Sequence, residues 1–333
     1  MKKILSQNKG GRDQMISIKK RFFLFFLIST LTNTIFSKDN ISAITYHPGA
    51  RLGDNLRSYF KAKWIAHRYG LKFLYTPFKY SPKLMISKID KKYTQNMDSQ
   101  FSKKIKMPYG TSRLAVALRD KTYGYTCRKG ATFDKIKKNS NILYVSNGAA
   151  IVNIDWDDKI FVNRLKKSIA PIKPLKKPEI PSNIISVALH VRKGGGFDPK
   201  HAARTWPLKF PPDSYYIEQI KRLYKIVDKQ PLYIHLFTDD KNPQKIAEKY
   251  KKALNIKNIV FTWREQNNAH NKNVIEDLFS MTHYDCLIRS QSHFGMIADI
   301  LGNFNIVIFP ENKYHWKRNQ LIIDKVRVRI NKK

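Results

Sequence analysis

From residue 184 onward, short apolar runs alternate with stretches in which apolar side chains recur every three or four positions. Ile184 to Val191 is almost continuously apolar and reads as a strand buried on both faces. Pro212-Asp213 opens a helix with the stripe Tyr216, Ile220, Leu223, Tyr224 and Val227. Pro231 to Phe237 reads as a strand, Asn242-Pro243 caps a helix reaching Leu254, and Ile259 to Trp263 reads as a further strand. A helix over Val274 to Thr282, a strand over Cys286 to Ile288, a helix from Ser292 to Leu301 and a strand over Ile306 to Phe309 complete the series. Strand and helix in alternation predict a parallel sheet covered by helices on both faces.

The first part of the chain begins the same way. Ile41 to Tyr46 is a strand, a loop follows from His47 to Asn55, and a helix carrying Tyr59, Trp64, Ile65 and Tyr69 stops at Gly70 before a second strand over Leu71 to Tyr75. Between the two parts, Pro171, Pro174, Pro178 and Pro181 fall within twelve residues, and regular structure cannot persist where each proline removes a donor and biases its predecessor towards extended backbone. The expected division is an N-terminal Rossmann-like domain over 38–169, a proline-rich linker over 170–183 and a C-terminal Rossmann-like domain over 184–333.

Residues 1–37 have a different character. Lys19, Lys20 and Arg21 precede an apolar run from Phe22 to Ile28 that continues less purely to Phe36, the order of a signal peptide or signal-anchor. With about 15 residues where ~20 are needed to span a bilayer, the run is short for a transmembrane helix. Met15 is an alternative start. The expectation is a protein exported, or held at a membrane, through this segment.

Charge narrows the partners. Lys plus Arg is 63 against 25 for Asp plus Glu, a formal net charge of +38 that would draw nucleic acid, an anionic membrane or a phosphorylated ligand. The lysines are spread along the whole length rather than gathered on one helix or arm, which argues against nucleic-acid binding as the main function. With 42% apolar residues, 14 Gly and 15 Pro in 333 residues, disordered and low-complexity classes are excluded for the chain as a whole. Cys127 and Cys286 are too far apart for a disulfide framework or a paired-ligand zinc site, leaving one long-range bridge or two buried thiols.

Open parallel sheets bind ligands beyond the carboxyl ends of their strands, and three such ends are polar. His190-Val191-Arg192-Lys193 precedes Gly194-Gly195-Gly196-Phe197-Asp198; strand alternation puts His190 and Arg192 on one face as two cations, and the glycines would let a ligand approach the backbone. Thr238-Asp239-Asp240 ends the next strand. Arg289-Ser290-Gln291-Ser292-His293 lies at a helix start, where free N–H groups favour an anion. Each has a plainer alternative: a packed histidine, turn chemistry at Asp239-Asp240, a helix cap at Ser292.

In order, His190-x-Arg192-Lys193, Phe237-Thr238-Asp239-Asp240, and Glu276-Asp277-Leu278-Phe279-Ser280-Met281 running into Ser290-Gln291-Ser292-His293-Phe294 resemble the three motifs of the α1,2-, α1,6- and protein O-fucosyltransferase superfamily. Gly49-Ala50-Arg51-Leu52-Gly53-Asp54-Asn55-Leu56 is similar to that superfamily's N-terminal glycine loop. The resemblance spans Ile44 to Phe309. It implies an α/β protein of the GT-B type, two Rossmann-type domains with parallel sheets facing across a cleft. The C-terminal domain would hold GDP-fucose or a related GDP-sugar, and the N-terminal domain would meet a glycan or glycoprotein acceptor. Transfer would invert the sugar and use no metal. Carried over by position, Arg192 would bind the diphosphate, and His190 and Asp240 the nucleoside. Ser290, Ser292 and His293 would hold phosphate at the helix start, while Gly53 and Asn55 would close over the donor.

Departures from the pattern bear on the base. Gly194-Gly195 stands where bacterial members carry Gly-Asp, so the first acid is Asp198, the candidate base; the position matching the base of the α1,6 branch is near Lys200. Lys193 replaces an arginine, which weakens a bidentate role there. The competing function is a basic protein binding polyanions or membrane surfaces on a degenerate transferase scaffold.

Overall fold

The computed structural model describes residues 40–107, 136–146, 154–195, 197–199 and 201–331. The leader over 1–37, Cys127, Gly196 and Lys200 lie outside the described residues. Among the described residues no helix is long and apolar enough to cross a membrane.

The N-terminal sheet is built from β1 (Ala43–Tyr46), β2 (Lys72–Tyr75), β3 (Lys91–Lys92), β4 (Lys103–Lys106) and β5 (Ile142–Ser146), in the order β3-β2-β1-β5-β4 with every pairing parallel. Helix α1 (Leu52–Tyr69) crosses from β1 to β2 and buries Leu52, Leu56, Tyr59, Phe60 and Ile65. It stops where the pattern predicts: Gly70 takes φ 65° and its N–H bonds Ala66 O, a left-handed cap that costs glycine nothing. After the short helix α2 (Ile86–Ile89), helix α3 (Lys159–Ile169) starts on Asp158, whose carboxylate accepts from Phe161 N at 2.9 Å.

Residues 170–183 hold no helix and, beyond a single bridge, no strand, as four prolines require. Pro171 bridges to Leu84, and Leu175 and Ile180 lie against the core.

The second sheet has the order β13-β10-β9-β6-β7-β8, with β6 (Ile185–Val191), β7 (Leu232–Thr238), β8 (Ile259–Trp263), β9 (Cys286–Arg289) and β10 (Ile306–Pro310) parallel. The strand β13 (Val326–Ile330) adds antiparallel to β10, a departure from the all-parallel expectation. Between them a hairpin, β11 (Tyr314–Lys317) and β12 (Gln320–Ile323), forms its own two-stranded sheet. Connecting helices are the short α4 (Ala202–Thr205), then α5 (Asp213–Ile226), α6 (Pro243–Leu254), α7 (Val274–Met281) and α8 (His293–Leu301). Asn242 precedes α6 but its side chain makes no cap bond.

One apolar cluster passes through both sheets' helices: Leu52, Leu56 and Phe60 of the first unit join Leu278, Ile297, Ala298 and Phe304 of the second. A second cluster, including Val187, Leu189, Tyr216 and Leu236, fills the other face of the C-terminal sheet. Each buried Leu, Ile or Phe contributes about 1.5–3 kcal/mol, so the units share a core rather than merely touching.

The closest approach is at Gly53, where a Cβ would stand 2.6 Å from Phe294 N and 2.9 Å from His293 C. Both are backbone atoms at the start of α8 and cannot swing aside. Gly53→Ala is expected to destabilise the protein by about 1–3 kcal/mol by forcing α1 off α8, read as a lower urea midpoint; an unchanged midpoint would refute the tight fit.

Candidate active site

Both sheets present carboxyl ends to one open cleft. The N-terminal unit supplies Arg51, Leu52, Gly53 and Asp54, from the loop after β1 and the first turn of α1. The C-terminal unit supplies His190 and Arg192 from the end of β6, Thr238 and Asp239 from the end of β7, and His293 and Phe294 from the start of α8. Lys209, His270, Lys272 and Asp277 complete the polar wall.

Arg192 and Arg51 approach the same carboxylate from opposite units. Arg192 Nη2 donates to Asp198 in a short contact, and Arg51 Nη2 donates to both Asp198 oxygens at 3.0 and 3.3 Å. Each guanidinium also lies over a ring, Arg192 at 5.1 Å from Phe210 and Arg51 at 4.6 Å from Phe197. Among the described residues Arg192 Nε is buried with no hydrogen-bond partner. Asp198, the acid expected to act as base, is therefore engaged by two arginines.

The glycine run does something other than expected. Asp239 accepts from Lys193 N at 2.6 Å and from Gly194 N at 3.1 and 3.2 Å. Gly194 and Gly195 take φ 101° and 53°, and a Cβ on Gly195 would meet Asp239 Cβ at 3.0 Å. The loop wraps a carboxylate of its own. Burial pushes the Asp239 carboxyl up, against the bonds from Lys193 and Gly194 and the Arg192 charge. Lys193 is likewise occupied, its Nζ donating to Asp213 at 2.6 Å.

His190 does not form the second cation. Burial, and then the Arg289 guanidinium, lowers its pKa to about 4, so the ring is neutral. It lies against Phe294 at 5.7 Å, and its Nδ1 is buried without a partner.

His293 joins the two units. Its Nδ1–H donates to Asp54 in a short contact, and its Nε2 accepts from Arg57 Nη1 at 2.8 Å, which fixes the tautomer. Burial first, then Arg57, brings its pKa to about 4. For Asp54, burial pushes the pKa up, but the His293 hydrogen bond and the charges of Lys209 and Arg57 outweigh it, and the carboxyl sits below its ordinary value. Asp54 is thus an ionised carboxylate facing the cleft. At Asp277 the balance reverses: burial raises its pKa to about 7 despite Arg264, with Glu276 adding to the rise.

The remaining predicted residues surround the cleft without lining it. Asp240 Oδ1 accepts from Asn242 N at 2.8 Å, the turn chemistry of its alternative reading. Ser292 is buried and caps α8 through Gly295 N, and Ser290 Oγ accepts from Ser292 N at 3.3 Å. Asn55 is buried and donates to Arg51 O at 2.9 Å, supporting the loop that carries Arg51. The cleft also takes in Arg51, Asp54 and Asp277, which stand inside the quoted motifs without a role assigned to them, and Lys209, His270 and Lys272, which no motif marks. Among the described residues no group of three His, Cys, Asp or Glu could hold a metal ion. Cys286 is buried, and burial pushes its thiol up to about 12.

No protein-family model and no curated protein matches the chain. Among solved structures, it is similar to POFUT1 in complex with GDP-fucose, at 12% identity and TM-score 0.45, covering 80% of this chain and 96% of that one. It is also similar to NodZ alpha-1,6-fucosyltransferase co-crystallized with GDP, at 12% identity and TM-score 0.45 over 87% of this chain and 98% of that one. The NodZ fucosyltransferase from Bradyrhizobium gives 12% identity and TM-score 0.43, with 88% and 99% covered.

Proposed function

We propose that the protein is a glycosyltransferase that moves fucose from GDP-fucose to a glycan or protein hydroxyl, with inversion and without a metal. The observation that carries the proposal is the convergence of Arg51 and Arg192, one from each unit, in a cleft at the carboxyl ends of two parallel sheets. A diphosphate presents acceptors matched to two guanidinium forks, and Lys209 beside them adds a third charge to meet the leaving group.

In this proposal the acceptor oxygen attacks the sugar C1 from the face opposite the phosphate and passes its proton to Asp54, a cleft carboxylate bonded to His293. The C1–O bond to phosphate breaks, and GDP leaves with the electron pair, stabilised by Arg192, Arg51 and Lys209. His293 holds Asp54 in place. At the base end, the half-buried Asp277 carboxylate supplies acceptors for the N1–H and 2-amino donors of guanine, a pair that uracil lacks.

Calorimetric titration with GDP, with UDP as control, tests this. GDP should bind selectively and survive moderate salt. Because Asp277 has a raised pKa near 7, its accepting form gains as pH rises from 6 to 8, so GDP affinity should tighten by up to about tenfold across that window. Asp277→Asn should flatten the dependence. Equal binding of both nucleotides that collapses with salt would favour the polyanion-binding alternative.

A further inference from the structure

The hairpin β11–β12 stands on the same rim as the cleft. It follows β10, whose last carbonyl, Pro310 O, accepts from Gln291 Nε2 at 2.8 Å in the loop leading to α8. Register puts Tyr314 opposite Ile323 and Trp316 opposite Leu321, so all four share a face. Leu321 and Ile323 line an open groove of about 420 Å³ against Pro212 and Tyr215 at the start of α5. Tyr314 and Trp316 extend that apolar floor outward, 40% and 45% exposed.

Charge frames the aromatics. Lys313, Lys317 and Arg318 on the hairpin and Arg222 on the groove wall are exposed, and among the described residues they make no ion pair. The hairpin's acids are spent: Glu311 pairs with Lys325 and Arg327, and Asp324 with His315. Glu218 is the acid left on the groove wall.

The shape separates two kinds of anionic partner. The two-residue turn at the tip is Arg318-Asn319, both with positive φ at 45° and 61°, flanked by Lys317 and Gln320. A bilayer would have to accept that polar tip first, since no apolar side chain projects there to insert. A groove with two aromatic faces about 7 Å apart along one strand instead suits a chain of flat units with apolar faces and acidic substituents. We infer that the hairpin and the α5 groove form a docking site for an acidic, uronate-bearing oligosaccharide, with sugar rings packed on Tyr314 and Trp316 and carboxylates met by Lys317, Arg318 and Arg222. As the acceptor's docking site this rests on the glycosyltransfer reading; as a binding site it stands alone.

The probe is a galacturonate hexamer, with neutral maltohexaose as control, in moderate salt where diffuse attraction to the +38 chain is screened. The parent should bind the uronate hexamer with a change in tryptophan fluorescence, and Y314A/W316A should lower affinity by about tenfold or more. K317E/R318E, which leaves the aromatics in place, should weaken the uronate probe while leaving the weak neutral background unchanged. Equal affinity in the parent and Y314A/W316A, or equal binding of the neutral hexamer, overturns the inference, as does a hairpin-dependent preference for phosphatidylglycerol vesicles over the hexamer. GDP titration of the same variants keeps the two readings apart: a parent blind to GDP with hairpin-dependent hexamer binding refutes the donor site alone.

Discussion

Arg192→Ala is expected to lower GDP affinity and sugar transfer by about 10²–10³-fold, the cost of removing one preorganised donor from developing negative charge. Arg192 is 8% exposed and fixed from three sides: the end of β6 sets its backbone, Phe210 underlies its guanidinium, and Asp198 holds one nitrogen. The strand end and Phe210 keep the guanidinium aimed while Asp198 gives way to a diphosphate. The fold should survive, because Asp198 keeps its contact with Arg51. Arg192→Lys keeps the charge but loses the fork and should fall between parent and alanine variant. The check is paired: nucleotide titration for function and a urea melt for fold. Full GDP affinity in Arg192→Ala would sink the donor-site assignment.

Asp299→Ala should be the most destabilising single change near the site. Arg289 ends β9 directly beneath the cleft, 1% exposed, and donates to Asp299 at 2.8 and 3.1 Å while lying 4.3 Å over Phe309. Removing the carboxylate leaves a guanidinium with no water to replace it, at a cost of about 3–5 kcal/mol. Arg329, which also reaches Asp299, is 37% exposed and can turn to solvent. The loss should therefore follow Arg289 alone, and an apolar pair, Arg289→Met with Asp299→Leu, should recover most of it. Urea midpoints for both variants decide the matter. A mild effect of Asp299→Ala would mean that water already reaches Arg289.

Much of the architecture was legible because the signals are local. Pro212, Gly70 and the apolar run before His190 each act within a few residues, and the elements read over 41–75 and 184–309 lie within about two residues of where periodicity puts them, whereas β3, β4, β5 and α3 were not read at all. What escaped depends on distance in the chain. Val326-Arg327-Val328-Arg329-Ile330 alternates as an edge strand should, yet its antiparallel docking on β10 is a tertiary choice. The hairpin turn at Arg318-Asn319 lacks the usual glycine, so no turn signal marks it. In the site, His190 and Arg192 both line the cleft, but the His190 ring is neutral because of burial first and then of Arg289, almost a hundred residues away. The pairing of Asp54 with His293 brings together residues 239 apart, and no pattern along the sequence reports it.

Asp198 also acts as an internal competitor. Its carboxylate already occupies the seat between Arg51 and Arg192, so any incoming anion must exchange with it rather than fill an empty hole. A singly charged ester gains little from that exchange, whereas a diphosphate offers more oxygens than the carboxylate it displaces. In a cytosol or lumen rich in small phosphates, a cleft with so strong a positive field would otherwise be permanently fouled. On the proposed reading the chain keeps its own stopper, and a ligand with two adjacent phosphates is the kind that would lift it.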